Sequence, residues 1–318
     1  MNIDIFAHVL TPKYLKELDD RGIQHHPTPP ASILWDPSER IEAMDKYSPG
    51  NTSVITMLGP DLESMVEPEL AVKLARLGND EMAELVCKHP EHFAAAVAML
   101  PLSNIDAALK EGRRAIEELG MKGIQISSNI DGELLDSPRL FPIYEMMADY
   151  DLPIWIHPAF AKGPLPVPFD MAVMLHWPLD TSLAMIYLAR SGVFEMYPNI
   201  KFITHHCGAF IPAFHPRIKA QYFDDPPYVT NPIGEKGKEY YKNLFKFYGD
   251  TAIYGNSTKT LELGYSFFGP DKLLYGTDFP AMTPEELVYA VRSVEAMDIP
   301  SEDKEKIFSG NAKRLLKL

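Results

Sequence analysis

Short apolar runs alternate with longer stretches of helical periodicity along the whole chain. The pattern predicts strands over 3–7, 52–58, 93–100, 123–127, 153–156, 201–204, 245–248 and 273–277. Helical sequence fills most of the intervals. Over Asn104–Gly120, the residues Ile105, Ala108, Leu109, Gly112, Ala115, Ile116 and Leu119 fall on one face, and Gly120 supplies a stop. Helix starts are also legible. Asp36-Pro37-Ser38-Glu39 offers a cap, a first-turn proline and an acid, and Thr283-Pro284-Glu285-Glu286 reads as a capping box. Ser137-Pro138 opens another helix. Further helices are expected over 67–89 with a break at Gly78, and over 181–191, 209–223 and 301–316.

Eight strands, each followed by a helix, in 318 residues predict one α/β domain spanning the chain, a single (β/α)8 TIM barrel. Two long loops, 10–36 and 158–178, are expected to cover its mouth. The first contains His25-His26-Pro27-Thr28-Pro29-Pro30, and the second is rich in proline, phenylalanine and methionine. A doubly wound open sheet is the alternative. It would gather a site near one switch point instead of at strands one, five, six and eight. Neither a glycine-rich phosphate loop nor an internal repeat is evident.

Composition narrows the partners. A hydrophobic content of 46% supplies an ordinary globular core. A formal net charge of −14 argues against nucleic acid and acidic membranes, though not against a small anionic substrate held by a metal or an arginine. Cys87 and Cys207 lie in dissimilar contexts and suggest no disulfide. No basic-then-apolar leader and no apolar run of roughly 20 residues is seen, so a cytoplasmic setting is expected.

The chemistry sits where strands stop. The first strand runs out to His8, the fifth to His157, the sixth to His205 and His206, and the eighth to Asp278. Imidazoles at the tips of buried strands are a costly way to fill space, and their recurrence at strand ends is what a barrel active site needs. His8, His157 and Asp278 make a two-histidine, one-carboxylate set. Such a set suits one divalent ion, zinc first, with manganese, magnesium or iron(II) as alternatives, and leaves positions open for water and substrate.

His157-Pro158, Thr204-His-His-Cys-Gly208 with Pro212, Tyr275-Gly-Thr-Asp-Phe-Pro280 and Gly310-Asn-Ala-Lys-Arg-Leu-Leu316 carry a resemblance. In this order, over nearly the whole chain, they resemble the amidohydrolase-related family that contains aminocarboxymuconate-semialdehyde and γ-resorcylate decarboxylases. The resemblance implies a metal-dependent barrel, most often a non-oxidative decarboxylase, with some relatives hydrolysing lactones or hydrating double bonds. It implies His8, His157 and Asp278 as metal ligands and His206 as the catalytic histidine. His205 is then a supporting or packing residue, because neighbours on a strand point to opposite faces. Phe6 departs from the family pattern, which has a ligand at that position. It leaves an open coordination position, and we group it with the substrate-contacting residues. No lysine stands at Ile126-Ser127, which argues against a bridged two-metal site. Arg217 matches an arginine that reaches a substrate carboxylate across a homodimer interface. Trp177, Phe160 and Phe169 are candidate walls of an aromatic pocket, while His25, His26 and His176 read as rim residues.

The expectation is therefore a carbon–carbon lyase acting on a small aromatic or unsaturated carboxylic acid, with Asp278 or His206 supplying the proton that replaces carbon dioxide. A metal-dependent lactone or amide hydrolase is the alternative. A non-catalytic binding barrel, suggested by Phe6, is a third reading.

Overall fold

The structure, a computed structural model, describes residues 1–23, 32–58, 62–159, 171–223, 234–253 and 257–318. Its strands close into one parallel barrel. They are β1 (Asn2–Val9), β2 (Asn51–Met57), β3 (Phe93–Ala96, resuming at Ala98–Met99) and β4 (Ile124–Ser127). β5 (Pro153–His157), β6 (Lys201–Thr204), β7 (Tyr248–Asp250) and β8 (Leu273–Leu274) complete the set. Each pairs with the next in parallel, and the interruption at Val97 lets β3 serve β2 with its first half and β4 with its second. The ring is closed by β1 against the end of β8. Ile5 N donates to Tyr275 O at 2.8 Å, Asp278 N to Phe6 O at 3.0 Å and His8 N to Phe279 O at 2.7 Å.

Alternation along the strands makes two cores. Ile3, Ile5, Val54, Ala95, Val97, Trp155, Ile203 and Leu274 fill the barrel, joined by Ala312, Leu315 and Leu316 from the C-terminal helix. Ile55, Phe93, Ile124, Ile126, Ile154, Ile156 and Phe202 face outward to the helices. The anticipated caps form, with Asp36 accepting Ser38 N at 2.8 Å and Thr283 N donating to Glu286 at 2.7 Å, and Asn104, not singled out as a cap, accepts Ala107 N at 3.1 Å.

Several elements differ from expectation. β7 begins at Tyr248, because Leu244–Lys246 winds into a 3-10 turn ahead of it. The helix Pro68–Lys88 runs unbroken through Gly78. That glycine is there for close packing, since a Cβ would come within 2.8 Å of Met57 Cε and 3.0 Å of Met99 Sδ. Part of the expected loop 10–36 is the helix Pro12–Asp20, which buries Tyr14 and Leu18. The insertion after β5 is helical from Ala172, with a π-turn to His176 and then a helix Trp177–Arg190 begun by Pro178. The terminal helix is split by a π-turn, Lys306–Gly310. Among the described residues no helix is long and apolar enough to cross a membrane.

Candidate active site

The C-terminal ends of β1, β5, β6, β7 and β8 converge on five buried or part-buried side chains and a sixth behind them. His8 ends the inward row of β1, and Thr56 Oγ1 on the neighbouring strand lies 2.7 Å from its Nδ1. This turns Nε2 toward Asp278, whose Oδ1 is 2.9 Å away. His157 places Nδ1 2.8 Å from the Pro158 carbonyl. A carbonyl only accepts, so Nδ1 carries the proton and Nε2 the lone pair. Its ring lies 5.0 Å from that of His8 and 6.5 Å from that of Trp177.

β6 stops at Thr204, and the backbone then leaves the strand conformation. His206, Cys207, Gly208 and Ala209 all take positive φ, between 53° and 71°. The alternation that would send His205 and His206 to opposite faces therefore does not reach them. His205 is fully buried, with Nδ1 2.5 Å from Asp250 Oδ2 and Nε2 3.2 Å from Asp278 Oδ1. His206 also faces Asp278, its Nε2 3.9 Å from Oδ2. Asp250 Oδ1 accepts Cys207 N at 3.2 Å and Ala252 N at 3.0 Å, so one carboxylate holds both the imidazole and the strained turn beside it.

Charges follow from this packing. Burial lowers the pKa of His8 against the pull of Asp278. Burial likewise pushes His157 down to about 3, helped by the two neighbouring imidazoles, and holds His206 well below its usual value, with His205 adding to the effect. His205 is the exception. Burial opposes its charge, but the carboxylates of Asp250 and Asp278 outweigh it and raise it to about 10. Asp278 stays ionised despite burial because His205 and His8 stabilise its charge.

The donor set fits a cation. His8, His205 and Asp278 offer ligand atoms within 4.8 Å of one another. The Nε2 atoms of His8 and His205 are buried and lack a hydrogen bond of acceptable geometry although a carboxylate oxygen is close to both. His8 Nε2 and the Asp278 carboxylate face each other without bonding, as donors that a metal ion would bring together, whereas the raised pKa of His205 leaves a proton on its Nε2. Of the expected ligand set, the structure brings His8 and Asp278 together and sets His157 beside them, outside the tightest group.

Other anticipated residues are less central. Phe6, expected against the substrate, is completely buried and stacks on His205 with ring centroids 3.8 Å apart; it braces that imidazole. Arg217 is exposed on the helix Ile211–Phe223 and takes no part in the cluster. Phe160, Phe169, His25 and His26 lie outside the described residues, and His176 sits in the π-turn before Trp177. Asp250 was missed because the apolar pattern placed the seventh strand before it. The signal available was an aspartate following Tyr248-Gly249, two residues past the expected strand end.

An eight-stranded parallel barrel carrying histidines and aspartates at its C-terminal strand ends defines a metal-dependent barrel enzyme. Residues 23–318 match the amidohydrolase family, Amidohydro_2, and the chain belongs to it. It is 28% identical to 2-amino-3-carboxymuconate-6-semialdehyde decarboxylase of Dictyostelium discoideum, over all of this chain and 92% of that protein. It is 30% identical to the γ-resorcylate decarboxylase of Polaromonas sp. (strain JS666), over 88% of this chain and 86% of the relative. The crystal structure of dihydroxybenzoic acid decarboxylase from Polaromonas sp. JS666, with bound manganese and the inhibitor 2-nitroresorcinol, has a TM-score of 0.78 at 25% identity. That match covers 100% of this chain and 97% of the other.

Proposed function

We propose that the protein is a metal-dependent decarboxylase of a small aromatic carboxylic acid. The observation that carries this reading is His205, clamped by Asp250 and aimed at Asp278 beside His8 and His157, a placement in which the two carboxylates raise its pKa to about 10. His8, His157 and Asp278 would hold one divalent ion, with His205 at the edge of the same group. Manganese is supported by the relative that binds it, and zinc suits the same donors. Such an ion supplies Lewis-acid polarisation of the substrate carboxylate and an adjacent oxygen.

The chain's own residues do the rest. His205 holds a proton at Nε2, and Asp250 stabilises the resulting imidazolium and fixes its orientation. As the bond to the carboxylate carbon breaks, its electron pair stays on the ring carbon, carbon dioxide leaves, and the Nε2 proton forms the new C–H bond. Solvent then reprotonates His205. We assign the proton to His205 in preference to His206, since His206 is neutral and lies farther from Asp278. Trp177, and the apolar wall of Met57, Met99 and Leu100 beside His157, suit the face of an aromatic ring.

The same reading includes a homodimer. Met171, Met174, Leu175, Leu179 and Leu183 repeat at helical spacing and are 41–60% exposed, an apolar stripe that a monomer would leave wet. Phe214, 54% exposed, lies one turn before Arg217 on a helix tied to this region by the hydrogen bond Phe210 N to Ser182 Oγ, 3.0 Å. A second copy covering the stripe would bring Arg217 toward a substrate carboxylate. Two free cysteines suit the cytoplasm. The function is tested by assaying hydroxybenzoates and muconate-type acids for carbon dioxide release with manganese or zinc present. Water addition without carbon dioxide across lactones and amides would replace the proposal with a hydrolase.

A further inference from the structure

Arg40 stands out among the buried side chains because nothing in the reaction calls for it. It sits on the helix Pro37–Tyr47, yet its side chain is 1% exposed. Among the described residues it forms no ion pair, and its Nε has no hydrogen-bond partner. A guanidinium removed from water with no direct ion pair, and with the buried Asp4 acting on it only through space, is expensive, so its contacts need a reason. One terminal nitrogen donates to the backbone carbonyl of His8 at 2.6 Å, and the other reaches that of Phe279 at 3.5 Å. The ring of Phe279 lies 4.9 Å from the guanidinium carbon.

Those two carbonyls belong to His8 and to the residue following Asp278. They face each other across the seam between β1 and β8, where the barrel closes through few hydrogen bonds. Asp278 is also held in the left-handed region, at φ 62°, by Phe6 O and by the turn to Ala281 N. A non-glycine residue stays there only if its surroundings over-determine it. Arg40 adds to that constraint from outside the barrel, with a planar fork that spans two acceptors and stacks on a ring, which a lysine cannot reproduce.

We propose that Arg40 is a positioning residue that presets the His8–Asp278 pair for its cation. The inference rests on the metal reading above. It predicts that Arg40 acts on metal affinity more than on the chemical step. The test uses metal-stripped full-length protein titrated with manganese or zinc by calorimetry, comparing wild type, Arg40→Lys and Arg40→Met, with His8→Ala as the control. Thermal melts of the metal-free proteins run alongside. The expected result is metal binding weakened by about 10–100-fold in Arg40→Met. Arg40→Lys, which keeps one donor for His8 O, should fall between, and activity should largely return at saturating metal. If Arg40→Met does not fold, Arg40→Lys decides alone. Unchanged affinity in the folded variants, with binding lost in His8→Ala, overturns the role of Arg40 and leaves the metal centre standing. Binding that survives His8→Ala and Asp278→Ala as well overturns the centre on which the inference rests.

Discussion

His205 and Asp250 stand 2.5 Å apart at the ends of adjacent strands, with the other imidazole nitrogen 3.2 Å from Asp278. One histidine thus links two carboxylates, and it alone among the four clustered imidazoles has its pKa raised and not lowered. The first prediction follows from this. His205→Asn should keep its metal and lose turnover by about 10²–10⁴-fold. Asp250→Asn should lose less, and His206→Ala least. Metal analysis and single-turnover rates check the order. Loss of metal in His205→Asn would make it a ligand, and a larger defect in His206→Ala would return the proton to that residue.

The second prediction concerns the ion itself. Asp278→Ala removes the anionic ligand and should strip the metal, as elemental analysis of the purified protein would show. His157→Ala should also lower occupancy, because its Nε2 lone pair is left available by the Pro158 contact. Full occupancy in His157→Ala would take it out of the coordination sphere.

A third prediction addresses Arg217. Mixing Arg217→Ala with Asp278→Ala under subunit exchange should partly restore activity. A mixed dimer with Arg217 acting across the interface has one intact site and one doubly damaged site. Absence of recovery, once exchange is demonstrated by native mass spectrometry, would confine Arg217 to its own chain. Leu179→Asp should meanwhile lower the sedimenting mass if the apolar stripe is the interface.

The fourth prediction is a pH dependence. Asp4 is buried inside the barrel, accepting Thr277 Oγ1 at 2.5 Å and Thr277 N at 3.0 Å, and burial raises its pKa from 3.8 to about 7. A raised folded-state pKa means that the folded chain binds the extra proton between those two values. Stability from this group is present below 3.8 and is lost as pH rises through about 7. The melting temperature of wild type relative to Asp4→Asn should therefore fall across that window and level off above it. A difference that grows with pH would contradict the assignment.

Much of this architecture is written in the local pattern of the sequence. Alternating periodicities marked eight strand positions, and all four strands read as ending in chemistry brought the expected kind of residue to the mouth: His8, His157, the pair His205 and His206, and Asp278. The capping signals at Asp36 and Thr283 also held. These are local properties, set by which residues fit a 2-residue or 3.6-residue repeat and by the hydrogen bonds that helix starts lack. The strand limits were less secure. Phe245-Lys246-Phe247 alternates as a strand would, yet Leu244–Lys246 turns, and Phe247 is buried just before β7.

By itself, then, the sequence determined the order of strands and helices and the kinds of ligand that end the strands. Only tertiary structure decided which histidine meets Asp278 and Asp250, because positive φ at His206 takes the pair out of strand alternation. It also decided that Phe6 braces His205, and that Arg40, on the helix Pro37–Tyr47, reaches the seam of the barrel. Each of those contacts joins residues 32 or more positions apart. Periodicity reports which face of its own element a side chain occupies. The register of closure between β1 and β8 determines what that face meets.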